Sequence, residues 1–224
     1  MMMMREVIHP CIALFLFASL LTACGGGGPH DDPAQGPTLP TAPVEVLVDD
    51  TGIPHIYAQN DEDLFYGYGY QLARDRMLQI AMFRRFAHGR LSEVLGGDGP
   101  GSVGSDAMKD DRFARIFNWR HYGKLDAELM AQEDPTYHAL MKAWVAGINA
   151  RVAEVRRGEV ERPWGFGPEG IDRLPEAWVD EDPYVIRKMT QFGLDQTIEY
   201  EVFVTFAQRI APKALDAIAL FKPA

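Results

Sequence analysis

The feature that most constrains the fold is one long helical segment, NDEDLFYGYGYQLARDRMLQIAMFRRFAHGRLSEVLGG, which begins at Asn60. Asn60 or Asp61 can cap this helix, and acidic residues fill its first turn, where the helix dipole favours negative charge. Gly67 and Gly69 each cost a helix about 1 kcal/mol relative to Ala, so we expect them to allow another backbone to approach closely. An apolar stripe at three-to-five-residue spacing is predicted to face the core: Leu64, Tyr68, Leu72, Met77, Ile80 and Phe83.

Shorter patterns surround this segment. Alternation at Val44, Val46 and Val48 predicts a strand, and residues 53–58 form a second one after a turn at 50–52. His88-Gly89 is expected to end the long helix, before a short helix around residues 91–95. A Gly-rich loop over residues 96–111 has no phosphate-binding pattern. Further helices are predicted over residues 112–131, 135–156 and 184–209, with a connector pinned by aromatics and prolines before the last one.

The candidate chemical groups are mostly carboxylates. Asp75 lies between Arg74 and Arg76, and Glu93 follows Arg90, so internal ion pairs are favoured over acid–base catalysis because a buried charge needs a partner. His55, between apolar neighbours, is expected to be a hydrogen-bonded structural residue. The sequence has no G-x-S-x-G, H-E-x-x-H or P-loop pattern, so no nucleophile or zinc site follows from its motifs.

The N-terminus has the pattern of an export signal. Residues 1–23 contain an early Arg, an apolar run over 12–21 and then small residues. The apolar run is too short for a membrane-spanning helix. The ending Leu-Thr-Ala-Cys resembles a bacterial lipobox and predicts lipidation at Cys24; the alternative is a plain secretory signal in which Cys24 is incidental. Residues 24–42 are Gly- and Pro-rich and are predicted to be a flexible tether. The protein is therefore expected to be exported and lipid-anchored in a bacterial membrane facing the periplasm, with the outer membrane favoured.

Composition excludes some partners. The 224 residues carry a net charge of −10, with a pI of about 5.0, which argues against nucleic acid as a partner. Both cysteines, Cys11 and Cys24, lie before the folded region, so no disulfide or thiol chemistry is expected in it.

Five motifs in order carry a resemblance to a known family: GIPHIYA, DLFYGYGYQLARDRMLQ, RRFAHGRLSEVLG, AWVAGINA and PEAW followed by Asp. Together they resemble the α-subunit of penicillin acylases, across residues 44–210. The resemblance implies an N-terminal nucleophile hydrolase with an αββα fold, of which residues 43–224 would be a mainly helical part with a short N-terminal β-hairpin. It also implies a β-chain partner whose N-terminal Ser is the nucleophile and whose sheet the hairpin joins. The chain would then be an α-chain whose β-half is encoded separately or lost.

The resemblance also implies site residues. Counted without gaps, Gln191 and Asp195 fall where penicillin G acylases have apolar and aromatic pocket residues, which speaks against a phenylacetyl-type pocket. The same count makes Glu201 the α-chain ligand of a calcium ion shared with the β-chain. A two-residue gap would instead place Met189 on the pocket position and Glu199 on the calcium position.

The expected function is hydrolysis of a linear carboxamide, such as a β-lactam side chain, an acyl-homoserine lactone or another N-acyl compound. No organic cofactor is expected, and the chain alone lacks the nucleophile. The alternative is a non-catalytic, acylase-like lipoprotein that binds or scaffolds, or a truncated gene product.

Overall fold

The structure is a computed structural model that describes residues 4–8, 39–96, 106–167, 170–171 and 173–195, together with Thr205 and Arg209. Its elements in chain order are strands β1 (Met4–Ile8), β2 (Val44–Val48) and β3 (Pro54–Tyr57), and helices α1 (Asp61–Ala87), α2 (Ser92–Leu95), α3 (Ala107–Phe117), α4 (Trp119–Glu133), α5 (Pro135–Arg157) and α6 (Asp182–Leu194). The predicted mainly helical chain with a short hairpin is confirmed. Four predicted features lie outside the described residues: the tip of the Gly-rich loop, most of the tether, Cys24, and the extension of α6 apart from Thr205 and Arg209.

The sheet is antiparallel, in the order β1-β2-β3. β2 and β3 form the predicted hairpin, with Glu45 opposite Tyr57 and Val48 opposite Pro54. Pro54 is tolerated because β3 is an edge strand, where a missing N–H donor leaves no partner unpaired. β1, which lies within the predicted signal peptide, pairs along the other side of β2. Removal of residues 1–23 would therefore leave the outer edge of β2 unpaired.

The glycines of α1 act as predicted, since they bring other elements into close contact. A Cβ added to Gly69 would lie 2.0 Å from the carbonyl oxygen of Trp144 on α5, and one added to Gly147 on α5 would lie 2.0 Å from that of Tyr66. A Cβ on Gly67 would meet the Val44 side chain at 2.6 Å. α1 therefore crosses α5 backbone to backbone and also packs on the hairpin.

The main core lies between α1 and α5. It contains Ala73, Met77, Ile80 and Ala81 from α1, Val145, Ile148 and Val152 from α5, and Phe166, Ile171 and Trp178 from the connector before α6. The predicted inward face of α5 is confirmed at Ile148 and Val152, which are 0% and 1% exposed. The prolines and aromatics of the connector cover one end of this core, as Pro175 and Trp178 are buried.

The predicted apolar stripe of α1 is wrong in part. Met77 and Ile80 are buried, whereas Leu64, Tyr68 and Phe83 are exposed by 36% to 51%. Because α1 and α5 cross closely, small residues such as Gly69 and Ala73 occupy the buried positions of α1, and these residues lie off the stripe. A kink at Arg76, with φ −132° and ψ 25°, also shifts the helical register.

The prediction of a single helix over residues 112–131 is also wrong, because the helix breaks at Asn118 into α3 and α4. Asn118 has φ 54° and ψ 40°, a left-handed conformation that Asn tolerates better than most residues. α3 begins at Ala107, within the stretch predicted as loop. The break at His88-Gly89 is confirmed, with Gly89 at φ 65°.

The N-terminal end of α1 holds the chain that precedes the hairpin. Asn60 caps the helix by accepting a hydrogen bond from the Asp63 N–H. The fully buried Asp63 carboxylate accepts hydrogen bonds from the backbone N–H groups of Thr41 and Ala42 and from the Thr41 hydroxyl. Four residues of the predicted tether, 39–42, thus belong to the packed part of the chain.

Candidate functional site

A cluster of buried and half-buried charges joins α1 to the start of α6. We call it the charge cluster, and its members are Arg84, Arg85, His88, Arg90, Glu176 and Asp182. The Glu176 carboxylate receives hydrogen bonds from Arg85 at 3.0 Å and from Arg90 at 3.1 Å. Asp182 is fully buried, with His88 Nε2 2.8 Å from its Oδ1.

The ionisation of this cluster is set by competition between burial and charge. Burial alone would raise the pKa of Asp182, but the hydrogen bond from His88, the charge of Arg84 and the Val179 N–H outweigh it, so the pKa is lowered. Burial likewise opposes ionisation of Glu176, while Arg90 and Arg85 lower its pKa below the ordinary value. Both carboxyl groups are therefore ionised at neutral pH. They hold α1 and the start of α6 together through ion pairs and do not serve as proton donors.

α6 carries the predicted pocket residues at its far end. Gln191 and Asp195 are exposed, and the Asp195 N–H donates to the Gln191 carbonyl at 2.9 Å. Met189 lies on the opposite side of the helix, half-buried against Ala87, Ala114, Trp119 and Val185. The two alignments therefore predict pocket residues on different faces of α6. Glu199 and Glu201 lie outside the described residues.

An aromatic cluster that was not predicted from the sequence surrounds the last turns of α6. Phe192 lies 4.3 Å from Phe117, 5.5 Å from Phe113 and 5.6 Å from Trp119, measured between ring centroids. Phe113 and Phe117 are still 40% and 38% exposed. The spacing of Phe113 and Phe117, four residues apart on one helix, is the only sequence signal for this apolar surface.

A groove of about 610 Å³ runs between the hairpin and the middle of α1. Its lining is apolar on the strands and polar on the helix, and includes Val46, Val48, Pro54, Ile56, Tyr68, Gln71, Leu72, Arg74, Asp75 and Arg76. Gln71 is 3% exposed and donates to Asp75 at 2.8 Å. Among the described residues, its buried Oε1 has no hydrogen-bond partner.

The two predicted internal ion pairs are confirmed only in part. Glu93 pairs with Arg90 at 2.8 Å, as predicted, but Glu93 is exposed, so this pair is not internal. Asp75 is exposed at the groove and hydrogen-bonded to Gln71, so it is not the internal group that was expected. The kink one residue later, at Arg76, turns this part of α1 outward. His55 bonds to Asp49 at 3.1 Å, which confirms its structural role.

Neither a metal centre nor a membrane span is found in the described part of the chain. Within those ranges, no group of three or more His, Cys, Asp or Glu side chains is placed to hold a metal ion. None of the helices described here is long and apolar enough to cross a membrane.

A family model described as Penicillin amidase matches residues 43–223, which is most of the sequence. The chain belongs to the penicillin amidase family. Among curated relatives, penicillin G acylase of Escherichia coli is 31% identical over 144 residues, covering 64% of this chain and 16% of the relative. The acyl-homoserine lactone acylase QuiP of Pseudomonas aeruginosa is 27% identical over 216 residues, covering 92% of this chain and 24% of the relative. Penicillin acylase 2 proenzyme of Pseudomonas sp. is 32% identical over 154 residues, covering 69% of this chain and 17% of the relative.

The penicillin amidase family also appears among solved structures. A thermostable penicillin G acylase from Alcaligenes faecalis matches with a TM-score of 0.53 and 28% identity, covering 79% of this chain and 78% of that chain. The chain thus spans between 16% and 24% of the length of these three curated relatives, yet it is close in length to one chain of a solved acylase.

Proposed function

We propose that this protein is the α-chain part of an exported acylase that hydrolyses a linear carboxamide to a carboxylate and an amine. The observation that carries the proposal is the likeness, over 79% of this chain, to one chain of a penicillin G acylase. Penicillin G and acyl-homoserine lactone acylases among the curated relatives support the same reaction class.

The proposal places the reacting groups on a β-chain, within an αββα fold of the two chains together. A Ser at the N-terminus of that chain would attack the amide carbonyl carbon, with its own α-amino group as the base that takes the hydroxyl proton. Backbone donors would stabilise the oxyanion. The present chain would contribute the hairpin, α6 and its pocket residues, and Glu201 or Glu199 as a calcium ligand.

The exposed apolar surface supports a partner chain. Tyr57, on the face of β3 turned away from α1, is 56% exposed, and Tyr68 at the groove is 51% exposed. Trp164 in the connector is 86% exposed. Large exposed aromatic side chains of this kind are frequent at protein contacts. A partner strand could also pair with β2 once residues 1–23 are removed.

Localisation is part of the proposal. Cleavage before Cys24 and lipidation of its thiol would anchor the protein, with residues 25–38 as the spacer between the lipid and the packed chain. Gly25 after the Cys, rather than Asp, favours the outer membrane.

The test is to express the full chain alone and together with a β-chain encoded next to it. Penicillin G and N-acyl-homoserine lactones serve as substrates, with release of the free amine as the signal. We expect hydrolysis only from the two chains together, and none when the β-chain N-terminal Ser is replaced by Ala. An inactive but stable two-chain complex would support the non-catalytic alternative, and hydrolysis by the single chain would overturn the proposal.

A further inference from the structure

α6 is anchored at its first residue by a buried carboxylate that three residues hold at once, two at the end of α1 and one just before α6. Asp182 Oδ1 lies 2.8 Å from His88 Nε2, and Oδ2 accepts a hydrogen bond from the Val179 N–H at 2.8 Å. Arg84 Nε lies 2.8 Å from Oδ2 and forms an ion pair with it, although the Nε–H bond does not point at the oxygen. His88 is therefore the directional side-chain partner, and Arg84 supplies neutralising charge.

Stability alone does not explain this arrangement. A negative charge at a helix N-terminus is favourable even when exposed, whereas a buried ion pair often contributes no more than apolar residues of the same volume. What the buried group adds is geometry, because few directions of α6 satisfy His88, Arg84 and Val179 together. Trp178, which precedes the anchor, is itself fixed by two hydrogen bonds to the Asn149 side chain on α5, at 2.7 and 2.9 Å.

α4 also holds the first turns of α6, whereas the last turn of α6 is packed on one face only. Gly123 on α4 admits the backbone of Val185, which would lie 2.6 Å from an added Cβ. Asp126 on α4 binds both Arg187 and Lys188, at 2.7 and 2.8 Å. Beyond them, Phe192 packs on Phe117 with 4.3 Å between ring centroids, whereas Leu194 is 76% exposed.

Because the N-terminal end of α6 is held, a small change in the direction of the helix produces a larger displacement at its C-terminal end. Thirteen residues at 1.5 Å each give a helix of about 20 Å, so a tilt of about 5° at Asp182 moves the tip by about 1.7 Å. Misplacement of binding groups by about 1 Å can cost catalysis up to about a hundredfold. The tip carries Gln191 and Asp195, the exposed residues predicted to line the acyl pocket.

We propose that Asp182 is a positioning residue: held by His88 and Arg84, it fixes the direction of α6 and so sets the acyl selectivity of the assembled enzyme. The selectivity part rests on the proposed acylase function, whereas the anchoring of α6 does not. Asp182 touches no reacting atom; it acts through the residues at the other end of its helix.

The experiment combines hydrogen exchange with kinetics on the full chain, purified with its partner chain or alone if none is found. Asp182→Asn removes the charge, and His88→Leu removes the directional donor but leaves Arg84 to neutralise the carboxylate. His88→Gln keeps an N–H donor and should restore the behaviour of the unmodified protein. Lys142→Ala is the matched control, since it breaks the half-exposed pair between Lys142 and Asp180 just before α6.

We expect amide exchange in residues 183–195 to rise by a factor of about 5 to 30 in Asp182→Asn and His88→Leu, with α5 unchanged. The ratio of kcat/KM for penicillin G to that for N-octanoyl-homoserine lactone should change in the same two variants, through KM more than kcat. His88→Gln and Lys142→Ala should alter neither quantity.

Unchanged exchange across α6 in folded Asp182→Asn or His88→Leu protein would overturn the anchoring, whether or not the protein is active. Faster exchange with unaltered KM and selectivity would overturn the link to the pocket. If Asp182→Asn does not fold, His88→Leu decides both points. An unmodified two-chain protein without acylase activity would refute the proposed function and the selectivity claim, and exchange would still decide the anchoring.

Discussion

The crossing of α1 and α5 predicts that Gly69→Ala destabilises the protein, although Ala is the better helix former. A Cβ at this position would lie 2.0 Å from the Trp144 carbonyl oxygen, and ordinary contact begins at 3.4 Å. The helices would have to separate by the difference, 3.4 − 2.0 = 1.4 Å, because a backbone carbonyl cannot rotate away as a side chain can. That separation would open the core between Ala73 and Ile148.

The magnitude follows from two opposing effects. Overpacking of this kind costs about 3 kcal/mol, at the upper end of the usual range. The helix propensity of Ala returns about 1 kcal/mol. The net loss is about 2 kcal/mol, which lowers the Tm of a chain of this size by about 4–8 °C.

Thermal unfolding of the purified protein, followed by circular dichroism at 222 nm, measures this effect. Gly193→Ala is the matched control, since Gly193 lies in α6 and an added Cβ meets nothing within 4 Å. This control should raise the Tm slightly, as helix propensity acts there without a clash. Gly67→Ala should fall between them, because its obstacle at 2.6 Å is the Val44 side chain. A Tm for Gly69→Ala equal to or above that of Gly193→Ala would refute the reasoning.

Three further predictions concern other parts of the chain. Asp63→Ala should cost about 2–3 kcal/mol, because it removes the buried carboxylate that accepts hydrogen bonds from Thr41 and Ala42. The exposed neighbour variant Asp61→Ala should cost less than about 1 kcal/mol, and urea unfolding measures both. Acid should destabilise the protein below about pH 4, because the pKa values of Asp63, Asp126, Glu176 and Asp182 lie below their ordinary values of 3.8 or 4.5, so the folded state binds fewer protons. The stability that these carboxylates contribute is fully present above their unfolded-state pKa values and is lost as the pH falls through their folded-state pKa values. A Tm that stays constant from pH 7 to pH 3 would contradict this prediction. Cys24→Ser should move the protein from the membrane to the soluble periplasmic fraction, and unchanged fractionation would remove the lipid-anchor proposal.

Local chemistry predicted much of the fold. The turn at Asp50-Thr51-Gly52, the cap at Asn60 and the break at His88-Gly89 depend on residues within a few positions of one another, and all three are confirmed. The purpose of Gly67 and Gly69 was also predictable, because a glycine inside a helix has a cost that only close packing explains. The family resemblance added the identity of the chain, which the residue patterns alone did not reach.

The errors share a physical cause, which is tertiary contact between residues far apart in the sequence. The exposed stripe of α1 at Tyr68 and Phe83 was predicted as core, because the spacing of apolar residues cannot show which face α5 occupies. Local patterns also cannot show that Asp182 is buried among charges. Its role in the charge cluster depends on His88, 94 residues earlier, and no local pattern joins the two.

The placement of charge and apolar surface in the described residues connects the fold with the proposed assembly. Arg85 and Asp182 are buried among partners, whereas Trp164 and Tyr57 are largely exposed, the reverse of what water favours in a chain that functions alone. Buried ions contribute little net stability, but only a few helix arrangements satisfy all of them. Exposed aromatic rings contribute free energy only when another surface covers them. In the proposed assembly, ion pairs orient the helices of this chain and a second chain covers its exposed aromatic side chains.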